Sequence, residues 1–94
     1  MRIGVPRETK TLEGRVALVP AAAGDLVKRG HEVWLEKDAG VKSGFRDAEY
    51  TALGVNIATD AAALYEKGEL IVKVKEPIEG DLALLRNDHL LFCY

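Results

Sequence analysis

Leu70-Ile71-Val72-Lys73-Val74-Lys75-Glu76-Pro77 is the stretch that decides the fold. Its first five residues form a short aliphatic run. The proline at its far end cannot continue a strand ladder. Interior strands of a parallel sheet are apolar throughout, because helices cover both faces. A lysine in such a strand must sit at its carboxyl edge or bear a heavy desolvation cost. The stretch therefore reads as a buried parallel strand that ends in cations.

The same grammar extends in both directions. Before it, Asp60 can cap a helix that closes at Gly68, and Asp47 can cap a shorter one that closes at Gly54. Val55 to Ala58 is a short strand between them. Glu32 to Lys37 alternates charged and apolar side chains, a pattern that suits an edge strand. Further back, Pro20 fits a first helical position, Ala23, Leu26 and Val27 form an apolar stripe, and Gly30 stops the helix. Arg2 to Pro6 reads as the first strand and Arg7 to Gly14 as a polar loop. On the other side, Leu82 to Arg86 suggests a small helix leading into the strand Leu90 to Tyr94. Strands alternating with helices predict an α/β fold: an open parallel sheet of about five strands, helices on both faces, in the flavodoxin-like order 2-1-3-4-5. No repeat, low-complexity tract or linker divides the chain, so residues 1–94 are expected to form a single domain.

The chain of 94 residues is 48% hydrophobic and 30% charged, which suits one modest core. Its net charge of −2, with both signs interspersed, gives no basic footprint for nucleic acid or a membrane surface. One cysteine, Cys93, forbids an internal disulfide. No apolar run approaches the length of a membrane span or a signal peptide, so a cytoplasmic protein is expected. The sequence stops inside a strand at Tyr94, and we read it as a fragment. That last strand has no charge, proline or glycine, so as an exposed sheet edge it is expected to drive self-association into a homo-oligomer.

None of the nine glycines forms the Gly-x-Gly pair that lets backbone approach a pyrophosphate, so the chain itself is expected to bind no cofactor. One cysteine and two isolated histidines, His31 and His89, make no metal cluster. Trp34, Phe45, Tyr50 and Cys93 read as packing residues.

Two positions carry chemistry. Arg15 closes the loop after the first strand, just before Val16-Ala17-Leu18-Val19, while Lys73 and Lys75 end the strand described above. Open α/β sheets bind ligands at this carboxyl edge. If one strand separates the two carriers, about 10 Å of sheet lies between them, which long side chains can bridge. An arginine fork and a lysine point charge there make a receptor for a small carboxylate, with the ammonium able to polarise a neighbouring carbonyl. The plain alternative pairs Arg15 with Glu8 or Glu13 and Lys75 with Glu76 in water.

Gly4-Val5-Pro6-Arg7-Glu8 and Glu13-Gly14-Arg15-Val16-Ala17-Leu18-Val19-Pro20 resemble the N-terminal signature of the alanine dehydrogenase and transhydrogenase α-subunit family. Arg29-Gly30-His31-Glu32-Val33, Ala39-Gly40, Ser43-Gly44-Phe45 and Lys73-Val74-Lys75-Glu76-Pro77 continue the likeness over nearly the whole chain. Leu12 and Val19 depart from it, standing where the family has asparagine and a hydroxyl residue. The Lys-Val-Lys-Glu-Pro run and the ending Leu91-Phe92-Cys93-Tyr94 are closer to alanine dehydrogenase than to transhydrogenase. The resemblance implies a fold similar to the catalytic domain of formate and glycerate dehydrogenases. It implies that the chain is the N-terminal part of a substrate domain, with the NAD-binding domain elsewhere. It further implies that Arg15 binds the substrate carboxylate and that Lys75, substrate-binding and catalytic, contacts the oxo-acid carbonyl. The reaction implied is L-alanine and NAD going to pyruvate, ammonia and NADH, with this chain inactive alone. A transhydrogenase subunit and a free-standing binding or interaction module are the alternatives.

Overall fold

In the computed structural model, which describes residues 1–8, 16–73 and 90–93, the elements follow one another as the sequence suggests. They are β1 (Arg2–Val5), α1 (Pro20–Lys28), β2 (Glu32–Glu36), a 3₁₀ turn (Val41–Ser43), α2 (Asp47–Thr51), β3 (Asn56–Ala58), α3 (Ala61–Lys67), β4 (Leu70–Lys73) and β5 (Leu90–Cys93). All four strand pairings are parallel. The α/β class, the five strands and helices on both faces match expectation. The helix expected at Leu82 to Arg86 lies outside the described residues.

The strand order is a correction. It is β3-β2-β1-β4-β5, not 2-1-3-4-5. After β2 the chain keeps moving outward and lays β3 along β2, with Lys37 N–H donating to the Ala58 carbonyl at 2.8 Å. A three-residue strand with exposed Asn56 suits an edge, whereas β1, buried at Ile3, Gly4 and Val5, needs a neighbour on each side. The chain then reverses and crosses back to set β4 on the free side of β1. Right-handed crossovers oblige that reversal to switch faces. Accordingly α1 and α2 lie on one face, and α3, packed on β1 and β2, lies on the other. The expectation of Glu32 to Lys37 as an edge strand is therefore overturned: β2 lies between β1 and β3, and β3 takes the edge.

Strand alternation sends successive side chains to two separate cores. Ile3, Val5, Val33, Leu35 and Val72 join Ala23 and Tyr50 on the α1 face. Ile71, Ala58, Leu64 and Tyr65 cluster on the α3 face, with Trp34 packed against them. Trp34 is thus a packing residue, further held by Lys67, whose ammonium lies 5.4 Å from its ring centroid. On this face α3 approaches the sheet closely. A Cβ built on Gly68 would stand 3.2 Å from the Gly4 backbone, so neither strand nor helix end has room for a side chain there.

The helix ends follow sequence in two cases and depart from it in one. Gly30, at φ +92, ends α1 as its left-handed cap, and His31 N–H closes back on the Leu26 carbonyl. The Asp60 carboxylate accepts the Ala63 N–H at 2.8 Å and caps α3. Asp47 does not cap α2. The cap is Arg46, whose N–H donates to Glu49, while Asp47 accepts the N–H of Asp38, a residue in the left-handed region at φ +65. No helix among the described residues is long and apolar enough to cross a membrane.

Candidate functional site

A doubly wound sheet has its ligand crevice where the chain changes direction, outside the carboxyl ends of the strands. In the order seen here that switch lies between β1 and β4, which are hydrogen-bonded neighbours. Sequence reasoning placed one strand between the carriers of Arg15 and Lys75. The structure removes it, so their parent strands stand about 5 Å apart rather than about 10 Å.

The buried charges gather at this edge. Lys73, the last residue of β4, is 2% exposed, and Glu8, three residues beyond β1, is 6% exposed. Lys73 Nζ donates to Glu8 Oε1 at 3.1 Å. Glu36, the last residue of β2, is buried as well and accepts the Arg7 backbone N–H at 2.9 Å. Register explains why they meet. Gly4 is opposite both Trp34 and Ile71, so two residues further on Pro6, Glu36 and Lys73 share one row across the sheet. That row faces the α3 side, where Trp34 and Ile71 point. Lys73 thus sits at the carboxyl edge, as expected of a charged residue ending an apolar strand, yet it is desolvated. A carboxylate compensates it rather than water.

Arg15 and Lys75, the two residues expected to hold a substrate, lie outside the described residues, as do His89 and Glu13. The structure does fix both flanks of the segment that carries Arg15. On one side stands the Glu8–Lys73 pair. On the other, Val16 and Leu18 are buried in the α1-face core, and the Tyr50 hydroxyl donates to the Leu18 carbonyl at 2.7 Å. Burial, with Glu49 and Asp47 nearby, pushes the Tyr50 hydroxyl up from 10.0 to about 12. Tyr50 and Phe45 do anchor the connection between β2 and β3, and Tyr50 reaches the Arg15 flank as well.

Glu8 and Glu36 were not singled out by sequence reasoning. Glu8 looked like part of a solvated loop, and Glu36 like the outer face of an edge strand. The usable signal was Lys73: a buried lysine ending an apolar strand calls for a carboxylate close by, and both glutamates are at hand once β2, β1 and β4 are known to be adjacent.

The described residues do not fit a dinucleotide. Beyond β1 the chain reads Pro6-Arg7-Glu8 without paired glycines, and a buried carboxylate stands where a pyrophosphate needs donors. The first helix opens on Val19-Pro20, with no side-chain cap and no N–H at its first position. Among the described residues no group of three or more His, Cys, Asp or Glu could hold a metal ion.

Fold and edge together define the class: a doubly wound α/β domain with a charged, buried row at its β1/β4 switch point. The sequence matches the family described as alanine dehydrogenase/PNT, N-terminal domain, over residues 4–94. Alanine dehydrogenase of Halomonas elongata is 46% identical over 94 residues, covering 100% of this chain and 25% of that protein. The NAD(P) transhydrogenase subunit alpha of Cereibacter sphaeroides is 42% identical over 94 residues, covering 100% of the chain and 18% of that subunit. A solved L-alanine dehydrogenase superposes with a TM-score of 0.95 at 41% identity, covering 100% of this chain and 26% of the other. The chain belongs to the alanine dehydrogenase/PNT N-terminal domain family. It spans 25% of the length of the alanine dehydrogenases it matches.

Proposed function

We propose that this chain is the N-terminal part of the substrate domain of an NAD-dependent alanine dehydrogenase, inactive alone, and that its β1/β4 crevice receives pyruvate or L-alanine. The observation that carries the reading is the buried cluster of Glu36, Glu8 and Lys73 at the switch point. The segments bearing Arg15 and Lys75 begin at its two members Glu8 and Lys73.

In this reading Arg15 grips the carboxylate as a fork, and Lys75 donates to the oxo-acid carbonyl oxygen. A fixed ammonium at that oxygen stabilises charge that develops as the carbonyl carbon is attacked, and it needs no solvent reorganisation to do so. NAD, the hydride acceptor, is held by a part of the protein outside this chain. A cytoplasmic homo-oligomer completes the reading, supported by the single cysteine and by the family.

The test is the full-length protein assayed for alanine-dependent NAD reduction and for reductive amination of pyruvate. Arg15→Ala and Lys75→Ala are each expected to lower kcat/KM by about two orders of magnitude or more. Near-normal turnover in either variant overturns the site.

A further inference from the structure

Burying an ion pair rarely stabilises a fold more than apolar side chains of equal volume would. The Glu8–Lys73 pair, with both side chains 3% exposed, therefore asks for another reason to exist. Its placement supplies one. Glu8 is the last described residue before the segment that ends with Arg15, and Lys73 precedes Lys75 by two positions on β4. The bond between them joins the exit of β1 to the end of β4 across the switch point. Beside it, Glu36 takes the Arg7 N–H and ties the same exit to β2. At the opposite end the segment is closed by buried Val16 and Leu18 and by the Tyr50 hydrogen bond. Both flanks of Arg15 are thus fixed to the sheet, one through charge and one through packing.

Resting on the reading above, we infer that Glu8 and Lys73 are positioning residues: their ion pair holds the exit of β1 against the end of β4, where the segments bearing Arg15 and Lys75 begin, and so sets the grip on the substrate carboxylate. Neither touches the substrate. An apolar pair could fill the same volume, but it would not hold the exit of β1 at one distance and direction from β4. A displacement of about 1 Å at a binding group can cost up to about 100-fold in rate or affinity.

The experiment uses full-length protein carrying Glu8→Leu, Lys73→Met or both. Each single variant is expected to raise the pyruvate KM by about 10- to 100-fold with a smaller change in kcat, and to leave the NADH dissociation constant unchanged. Each should also lower Tm, because a buried charge then loses its ion-pair partner. The double variant should recover Tm yet keep the raised KM, a split that a merely structural pair does not produce. Hydrogen exchange supplies an arm that needs no turnover: in the double variant, amides of residues 9–16 should exchange faster while those of α1 and β2 do not. Unchanged pyruvate KM in the single variants, joint recovery of Tm and KM in the double, or unchanged exchange over residues 9–16 overturns the inference. Wild-type protein that turns over neither alanine nor pyruvate overturns the functional reading instead, and the exchange measurement still decides whether the pair anchors the segment.

Discussion

Strands β1 and β4 carry an ion pair at each end, and the two pairs differ in almost everything but their charges. At the amino end Arg2 and Glu69 approach to 4.0 Å with side chains 49% and 45% exposed. At the carboxyl end Lys73 and Glu8 meet at 3.1 Å with 3% exposure each. Water and salt screen the first, so its worth is small. The second has lost its water, so protein groups must compensate its charges. The fold can lose the amino-end pair with little consequence. At the carboxyl end it has accepted an expensive arrangement on the side of the sheet where ligands bind, and that asymmetry points to function there.

Cutting the buried pair on one side should give the largest effect on stability. Lys73→Ala takes the ammonium away from the buried Glu8 carboxylate and should cost about 3–5 kcal/mol by urea unfolding. Replacing Glu8 by Leu and Lys73 by Met together should bring the loss back to within about 1 kcal/mol. A small effect of Lys73→Ala would mean that Glu8 reaches water, and the contrast between the two ends would collapse.

A second buried polar contact sharpens the comparison, because it flanks the same segment without any formal charge. The Tyr50 hydroxyl titrates near 12 in the fold against 10.0 in the unfolded chain. Between those values the unfolded chain releases the proton and the folded one keeps it, so stability falls as pH rises. Below pH 10 the full contribution is present. By about pH 12 up to roughly 3 kcal/mol should be gone, at about 1.4 kcal/mol for each pH step between the two values. Unfolding followed from pH 9 to 12, with tyrosinate absorbance as the monitor, checks this. The Tyr50→Phe variant should lose that part of the slope.

How much could be seen in the sequence depended on range. Local signals were legible. Asp60 caps α3, Gly30 ends α1, and every described strand falls within a residue or two of its expected bounds. Val19 in place of a hydroxyl does leave α1 without a side-chain cap. These ends also make a prediction: Asp60→Ala should cost about 1 kcal/mol, while Val19→Ser should gain a comparable or smaller amount, both read from thermal unfolding. Strand order was not legible, because nothing local to Asn56–Ala58 says whether it pairs with β1 or β2. That one choice hid Glu36, spread the parent strands of Arg15 and Lys75 too far apart and misread β2 as an edge. The lysine that ends β4 was visible, but its partner Glu8 lies 65 residues away in sequence, beyond the reach of any periodicity. Arg15 and Lys75 came from a local motif and remain the parts of the site that activity must test.

The smallest effect belongs to the amino-end pair, and it is the control that gives the larger ones meaning. Glu69 does two things there: its carboxylate accepts the Arg2 backbone N–H at 2.9 Å and faces the Arg2 guanidinium at 4.0 Å. Glu69→Gln keeps an oxygen for the first and removes the charge from the second. Arg2 loses little orientation, because its Nε also donates to the Lys67 carbonyl at the end of α3 at 2.8 Å. The expected change is therefore below about 0.5 kcal/mol in dilute buffer and close to zero in molar salt, where the screening length shrinks to about 3 Å. Lys73→Ala, measured in the same two buffers, should keep most of its loss, since ions do not enter a site that excludes water. If both variants lose their effects alike in salt, the carboxyl-end row is solvated after all. Its claim to hold the arms of a binding site would then fail with it.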